Sequence, residues 1–352
     1  MKIGVISHCL HPLSEPFQGG LEMITYLLVD ELVKRGHDVS TLCKRGSEVV
    51  GNHVYYEDIV YNSNNPNLIS DIENYGLFYK NVSEFIEHDF ELIHNHCLSH
   101  HAIIAGQLVR IPFVTTFHTP MFKNIEVAKN CCKNSSRQIF TTVSRYLNGV
   151  YQKSFQPVFT VYNGIDLSLW KHDYQKKDYY SWCGRICIEK GLAEIMDLCY
   201  SQGMNLKFAG PISDQDYFAD EIQPRLHRYK NSQYLGHLVQ TEINDLIGRS
   251  RAFLFSSIWE EPYGLVIAEA LASGTPVIAN NIGAASEIID KSSGLLFNLS
   301  KPDSFVRAIQ NLKRLKPTNC RLRAEQFCCH HKMVDAYEQL YQEIRHEKLL
   351  IL

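Results

Sequence analysis

The chain has 352 residues, long enough to favour two domains over one, and 45% of them are hydrophobic, enough for two packed cores. A charged fraction of 21% excludes global disorder, and a net charge of −3 gives no overall pull toward nucleic acid or an anionic membrane. Eleven cysteines at irregular spacing, with no C-x-x-C pair, argue against a disulfide framework and against zinc, and read as reduced thiols in a cytoplasmic protein.

The predicted elements alternate from the start. Residues 3–7 form a short apolar run suited to a buried parallel strand. The run is too short for a signal peptide, and His8, His11 and Glu15 interrupt it at once. No stretch is apolar for long enough to span a bilayer, so a soluble chain, at most peripheral to a membrane, is expected. After a loop with two prolines and a Gly-Gly pair, Leu21, Ile24, Leu28 and Leu32 recur at helical spacing, and Gly36 stops the helix. Residues 39–43 then complete a βαβ unit, the building block of α/β domains.

Further strands are expected at 91–94, 112–116 and 138–143, and a second series at 179–183, 205–209, 252–256 and 275–279. The polar stretch 163–177 reads as the hinge, and 321–346 as one long helix. The expected architecture is two doubly wound α/β domains facing across a cleft, at residues 1–165 and 166–325. A terminal helix in 326–352 returns to the first domain. In such sheets ligands bind beyond the carboxyl ends of the strands, which makes the cleft the default site.

Residues 259–270, Trp-Glu-Glu-Pro-Tyr-Gly-Leu-Val-Ile-Ala-Glu-Ala, carry the most chemistry. Pro262 and Gly264 mark a tight turn after a strand, and a helix-forming run follows. The N–H groups of Gly264, Leu265 and Val266 would then open a helix toward the strand ends, a site suited to a diphosphate. Glu261 and Glu269 bracket it; repelled by phosphate, they suit neighbouring hydroxyls of sugar and ribose. The plain alternative is a solvated glutamate pair on an amphipathic helix. A second segment, residues 184–191, places Arg185 and Lys190 on a strand-to-helix turn, where a guanidinium fork and an ammonium can both reach a pyrophosphate. It is no Walker loop, since no glycine precedes Lys190 and no Ser or Thr follows it. Its plain alternative is a surface charge pair.

These segments, together with others in order along the chain, resemble the retaining glycosyltransferases of family 4, which have the GT-B fold. The resemblance rests on Gly19-Gly20-Leu21-Glu22, Thr116-Phe117-His118-Thr119, Val161-Tyr162-Asn163-Gly164-Ile165-Asp166 and residues 184–191. It continues through Phe208-Ala209-Gly210-Pro211, Tyr234-Leu235-Gly236-His237, residues 261–270, residues 274–279 and residues 283–287. It implies that Arg185 and Lys190 hold the diphosphate and stabilise its charge as it leaves. Glu269 would take the ribose hydroxyls and Glu261 those of the donor sugar. Tyr263 would belong to the same donor-binding loop. Gly19 and Gly20 would let backbone approach the sugar-phosphate, Gly236, His237 and Leu238 would edge the nucleobase, and His118 would contact the donor sugar near the reacting centre. Leu21 and Ile188 depart from residues common in relatives and leave the donor sugar open.

The resemblance further implies transfer of a hexose from a UDP-, GDP- or ADP-linked sugar to an acceptor hydroxyl, with retained configuration, no cofactor and no metal. His94, His96, His100 and His101 are the one cluster that invites a metal, and no carboxylate or thiolate at fitting spacing completes it. His94 and His96 share a strand face, and His96 suits a cleft-edge role. Three rival readings stand beside the transferase. A Rossmann oxidoreductase would want G-x-G-x-x-G after the first strand, which is absent. A sugar-binding module needs no phosphate set, and a phosphorylase would share the fold.

Overall fold

The computed structural model describes residues 1–56, 68–132 and 137–345, so part of the stretch 52–81, in which no motif was recognised, lies outside the described residues. The chain divides into two compact units, Met1–Asn163 with the segment from His330 onward, and Gly164–Cys329.

Among the described residues the first unit is built on seven parallel strands: β1 (Lys2–Ile6), β2 (Asp38–Cys43), β3 (Asn52–Tyr55), β4 (Leu92–Asn95), β5 (Phe113–Phe117), β6 (Gln138–Thr142) and β7 (Val158–Thr160), in the order β3-β2-β1-β4-β5-β6-β7. The second carries six, again all parallel: β8 (Tyr180–Cys183), β9 (Leu206–Ala209), β10 (Ser232–Tyr234), β11 (Phe253–Phe255), β12 (Val277–Asn280) and β13 (Gly294–Phe297), in the order β10-β9-β8-β11-β12-β13. Helices cover both faces of such sheets, so their central strands bury every side chain and read as unbroken apolar runs. β5, β8, β11 and β12 are buried throughout and β1 from Ile3 onward, mostly apolar with a Thr, Ser or Asn among them. β3, β7 and β10, short and at sheet edges, carry too few apolar residues to be read as strands, and β13 was also missed.

The strand orders locate a crevice in each sheet. In each sheet the chain reverses its direction of winding once, between β1 and β4 and between β8 and β11. The loops leaving those strands splay apart and open a crevice. In the second unit these are residues 184–191 and 256–264; in the first they are the loop after β1 and the turn that begins at His96.

The first helix, Gly20–Lys34, ends as its sequence indicates. Gly36, at φ 87°, bonds to the Val33 carbonyl at 2.9 Å and His37 to that of Leu32 at 3.1 Å, a paired closure of the last turn. The long helix expected over 321–346 is interrupted. A helix over Pro317–Arg323 leads to Cys329, whose backbone is extended (ψ 132°), and a separate helix runs over His330–Arg345. The latter buries Met333, Val334, Tyr337, Leu340, Tyr341 and Ile344 in the first unit. It is pinned there by Arg35, whose Nη1 donates to Asp335 at 2.7 Å, and by His37 Nε2 against Glu338 at 2.7 Å. The expected return of the terminal helix to the first domain is therefore present. No described helix is long and apolar enough to cross a membrane, and all eleven cysteines are free thiols.

Candidate active site

Two loops of the second unit are laced together by backbone. After β8 the chain turns through Glu189 and Lys190 to Gly191, and after β11 it passes Ser256 and Ser257. The Glu189 carbonyl accepts from Ile258 N at 2.9 Å, Trp259 N at 3.2 Å and Ser257 Oγ at 3.2 Å. Ser256 Oγ donates to the Lys190 carbonyl at 2.9 Å. Gly191 opens the helix Leu192–Ser201 at φ 65°, and a Cβ there would meet the Ser256 carbonyl oxygen at 2.2 Å. Only glycine allows this approach and this backbone conformation together.

This lacing delivers Lys190 to Glu261. The Lys190 Nζ is ion-paired with Glu261 Oε1, both side chains are more than four-fifths buried, and the ammonium stands 5.5 Å from the centroid of the Trp259 ring. Trp259 is thus a third wall of the lysine's pocket, and only its proximity to Glu261 in sequence hinted at that. Glu261 is fixed in turn by Gly283. The Glu261 carbonyl accepts from Ala284 N at 3.1 Å, and a Cβ on Gly283 (φ 55°) would lie 2.4 Å from that carbonyl oxygen and 2.6 Å from its amide nitrogen. Arg185, by contrast, is exposed and makes a 3.1 Å contact with Glu189, itself half-exposed. Such surface pairs contribute about 0–1 kcal/mol, so Glu189 holds the Arg185 guanidinium only weakly.

Gly264, with φ 97°, starts the helix Leu265–Ala272, as the sequence predicts. The amides of Leu265 and Val266 head that helix, and Ile267 N closes its first turn on the Gly264 carbonyl at 3.0 Å. Glu269 lies in the second turn. Desolvation raises its carboxyl to about 7, although the residue keeps some exposure, and the carboxylate makes no hydrogen bond among the described residues. It is an acceptor pair awaiting donors, which suits two vicinal hydroxyls. Tyr263 is 2% exposed and its hydroxyl lies against the Cys328 thiol, so the side chain serves packing and only its backbone faces the turn.

The remaining residue group of this unit, Gly236, His237 and Leu238, follows β10. Gly236 (φ 80°) accepts from Gly210 N at 2.9 Å, His237 is exposed and Leu238 half-buried. A groove of about 600 Å³ bordered by Tyr174, Tyr179, Lys207 and Arg249 reaches Leu238. Another, of about 640 Å³, lies in the first unit beside Tyr79, Phe90 and Arg110. Neither contains Lys190, Glu261, Glu269 or His118, so these shapes do not mark the chemistry.

In the first unit Gly19 is the extended residue before the helix that Gly20 begins, close to the Glu22 carboxylate. His118 follows β5, half-buried, its imidazole pushed down to about 3 by desolvation and therefore neutral. His94 and His96 do share one face, and their rings lie 4.0 Å apart. His96 Nδ1 stands 2.9 Å from His118 Nε2, and His94 bonds to Tyr341 and Thr116. His100 and His101 turn elsewhere, His101 against Phe78 and Tyr79. The four histidines therefore do not converge on a single point among the described residues. Tyr341 was missed by sequence reasoning, because its partner lies 247 residues away.

Comparison with known proteins agrees with this layout. Residues 18–169 match the family described as Glycosyltransferase Family 4, and residues 170–326 the family described as Glycosyl transferases group 1. A glycogen synthase of Mycobacterium tuberculosis is 27% identical over 227 residues, covering 56% of this chain and 54% of that protein. The chain thus matches about half the length of that relative. An uncharacterized glycosyltransferase of Methanocaldococcus jannaschii is 25% identical over 319 residues, covering 84% of this chain and 85% of that one. Among solved structures, the sucrose-phosphate synthase of Thermosynechococcus elongatus superimposes with a TM-score of 0.77 at 17% identity, over 97% of this chain and 98% of that one. Anabaena HepE in complex with UDP and glucose does so with a TM-score of 0.74 at 16% identity, over 97% and 100%. The shared fold is GT-B.

Proposed function

The chain belongs to glycosyltransferase family 4, and we propose that it moves a hexose from a nucleoside-diphosphate sugar to an acceptor hydroxyl with retention of configuration. The observation that carries this reading is the pairing of Lys190 with Glu261 beside the helix that begins at Gly264. A cation, a helix start and a hydroxyl-binding carboxylate are together what a diphosphate sugar needs. That HepE holds UDP and glucose on the same fold supports it.

In this reading the diphosphate lies on the amides of Leu265 and Val266, with Lys190 and Arg185 as counter-charges. Gly264 and the Tyr263 backbone shape the turn, and Glu261 takes donor-sugar hydroxyls once Lys190 turns to phosphate. Glu269 takes the ribose diol, and Gly236, His237 and Leu238 edge the base, leaving UDP, GDP or ADP open. Gly19, Gly20 and His118 serve the sugar. The bond between the anomeric carbon and the diphosphate oxygen breaks, and the acceptor oxygen bonds to that carbon on the same face. The acceptor's hydroxyl proton passes to the departing phosphate oxygen. Lys190 and Arg185 supply the charge stabilisation that a divalent ion would otherwise give, so neither metal nor cofactor is required. Polysaccharide, glycolipid or small-metabolite glycosylation are the acceptor classes in view, in a cytoplasmic setting.

Thermal unfolding with added UDP, GDP, ADP, NAD or free glucose tests the reading. Stabilisation by at least one of the three diphosphates, and not by NAD or glucose, is expected. Stabilisation by NAD alone, or by none of them, would contradict it.

A further inference from the structure

We propose that a buried relay of Tyr341, His94 and His96 fixes the tautomer of His118, leaving its Nδ1 as a bare hydrogen-bond acceptor for a sugar hydroxyl. The proposal rests on the glycosyl-transfer reading for the identity of the hydroxyl, and on the first unit alone for the relay.

Four contacts define the relay. Tyr341 Oη stands 2.6 Å from His94 Nδ1, His96 Nε2 stands 3.2 Å from that same nitrogen, and His94 Nε2 stands 2.7 Å from Thr116 Oγ1. His96 Nδ1 then stands 2.9 Å from His118 Nε2. All three imidazoles are pushed below their ordinary range by burial, so each is neutral and carries one N–H. With one proton per ring, two arrangements are possible, differing by a shift of every ring proton along the chain.

Tyr341 decides between them. Its hydroxyl is fully buried, and His94 Nδ1 is its only hydrogen-bond partner among the described residues. A buried hydroxyl proton left without an acceptor loses its water and gains nothing in return, so Tyr341 donates and His94 Nδ1 accepts. His94 therefore carries its proton on Nε2 and donates it to Thr116 Oγ1. That oxygen can also take the Tyr337 hydroxyl at 3.0 Å and give its own proton to Thr141 Oγ1 at 2.6 Å, which uses its full capacity. His94 Nδ1 has no proton to give and its one lone pair already takes the Tyr341 hydroxyl, so His96 turns its Nε2–H toward that shared lone pair at the longer distance of 3.2 Å rather than set two bare nitrogens face to face, and its Nδ1 is the acceptor facing His118. His118 must then donate from Nε2, and its Nδ1 holds a lone pair with no partner among the described residues. The opposite arrangement would turn Nδ1 into a donor suited to phosphate oxygen. Tyr341, on the terminal helix, thus selects a hydroxyl ligand for His118, as a positioning residue.

Nitrogen-15 spectra of the full chain with labelled histidine test this directly. In the free protein, His94, His96 and His118 are each expected as the Nε2–H tautomer, and UDP-glucose is expected to move the Nδ1 signal of His118. Tyr341→Phe keeps the ring that packs the helix but removes the deciding proton. It is expected to mix the tautomers and lower kcat about two- to tenfold, the effect of one neutral hydrogen bond, with the melting temperature nearly unchanged. A His118 protonated on Nδ1 in the free wild type would overturn the proposal, as would unchanged tautomers in Tyr341→Phe. If the tautomers are as stated and no nucleotide sugar is turned over, the relay stands and the transfer reading falls.

Discussion

Lys190 touches three groups that want different things from it: the Glu261 carboxylate, the Trp259 ring and, by proposal, a diphosphate. Lys190→Ala should lower turnover about 10²–10³-fold, the usual loss when one charge-stabilising group is removed, while nucleotide release assays on the folded variant read the loss. Glu261→Gln should cut turnover with less effect on nucleotide affinity, since its task is the sugar; an equal loss of UDP affinity would reassign it. Glu269 makes a pH prediction. Its carboxyl sits at about 7 in the folded chain, against about 4.3 when unfolded. Between those values the folded form holds a proton the unfolded form lacks, so stability falls as pH rises from about 4.3 through 7. Ribose hydroxyls donate to the ionised form, so affinity for a nucleotide sugar should weaken by up to about tenfold per unit as pH falls below 7. Glu269→Gln should flatten both profiles, measured by denaturant unfolding and by calorimetry with the sugar diester, whose own phosphates do not titrate there.

At the scale of elements, loops matter more than the strands that aim them. Gly283 presses on the Glu261 backbone with no room for a methyl group. Gly283→Ala should therefore cost about 1–3 kcal/mol of stability and, in protein that remains folded, most of the activity; a variant with wild-type turnover would detach this contact from function. The central strands and the two turns at 184–191 and 259–264 were legible in sequence because apolar runs, glycines and charges fall at fixed spacings there. The edge strands β3, β7 and β10 were not, since a short strand with solvent on one side leaves no unbroken run. The break at Cys329 was not legible either: helical composition runs through residues 321–346, and only the tertiary placement of the last helix interrupts it. Arg185 and Lys190, read as a matched pair, prove unlike, one exposed and one nearly enclosed. Burial of that kind is set by the Ser256–Ser257 loop, far along the chain.

For the molecule as a whole, each sheet reverses its winding once, and Lys190, Glu261 and His96 lie on loops that leave the strands flanking that reversal. The first unit is completed by the chain's last helix, whose tyrosines are buried within it. Tyr337→Ala should cost about 3–5 kcal/mol and loosen the first unit selectively. Hydrogen exchange should then rise around β4 to β6 while the second unit keeps its protection. Glycosyl transfer by this chain requires the second unit to hold a nucleoside diphosphate through Lys190. Calorimetric titration of UDP, GDP and ADP into the wild type and into Lys190→Ala tests that most directly. At least one diphosphate should bind the wild type and bind the variant tenfold or more weakly, about 1.4 kcal/mol. Equal affinity in the two proteins, or no binding of any of the three to the wild type, would contradict it.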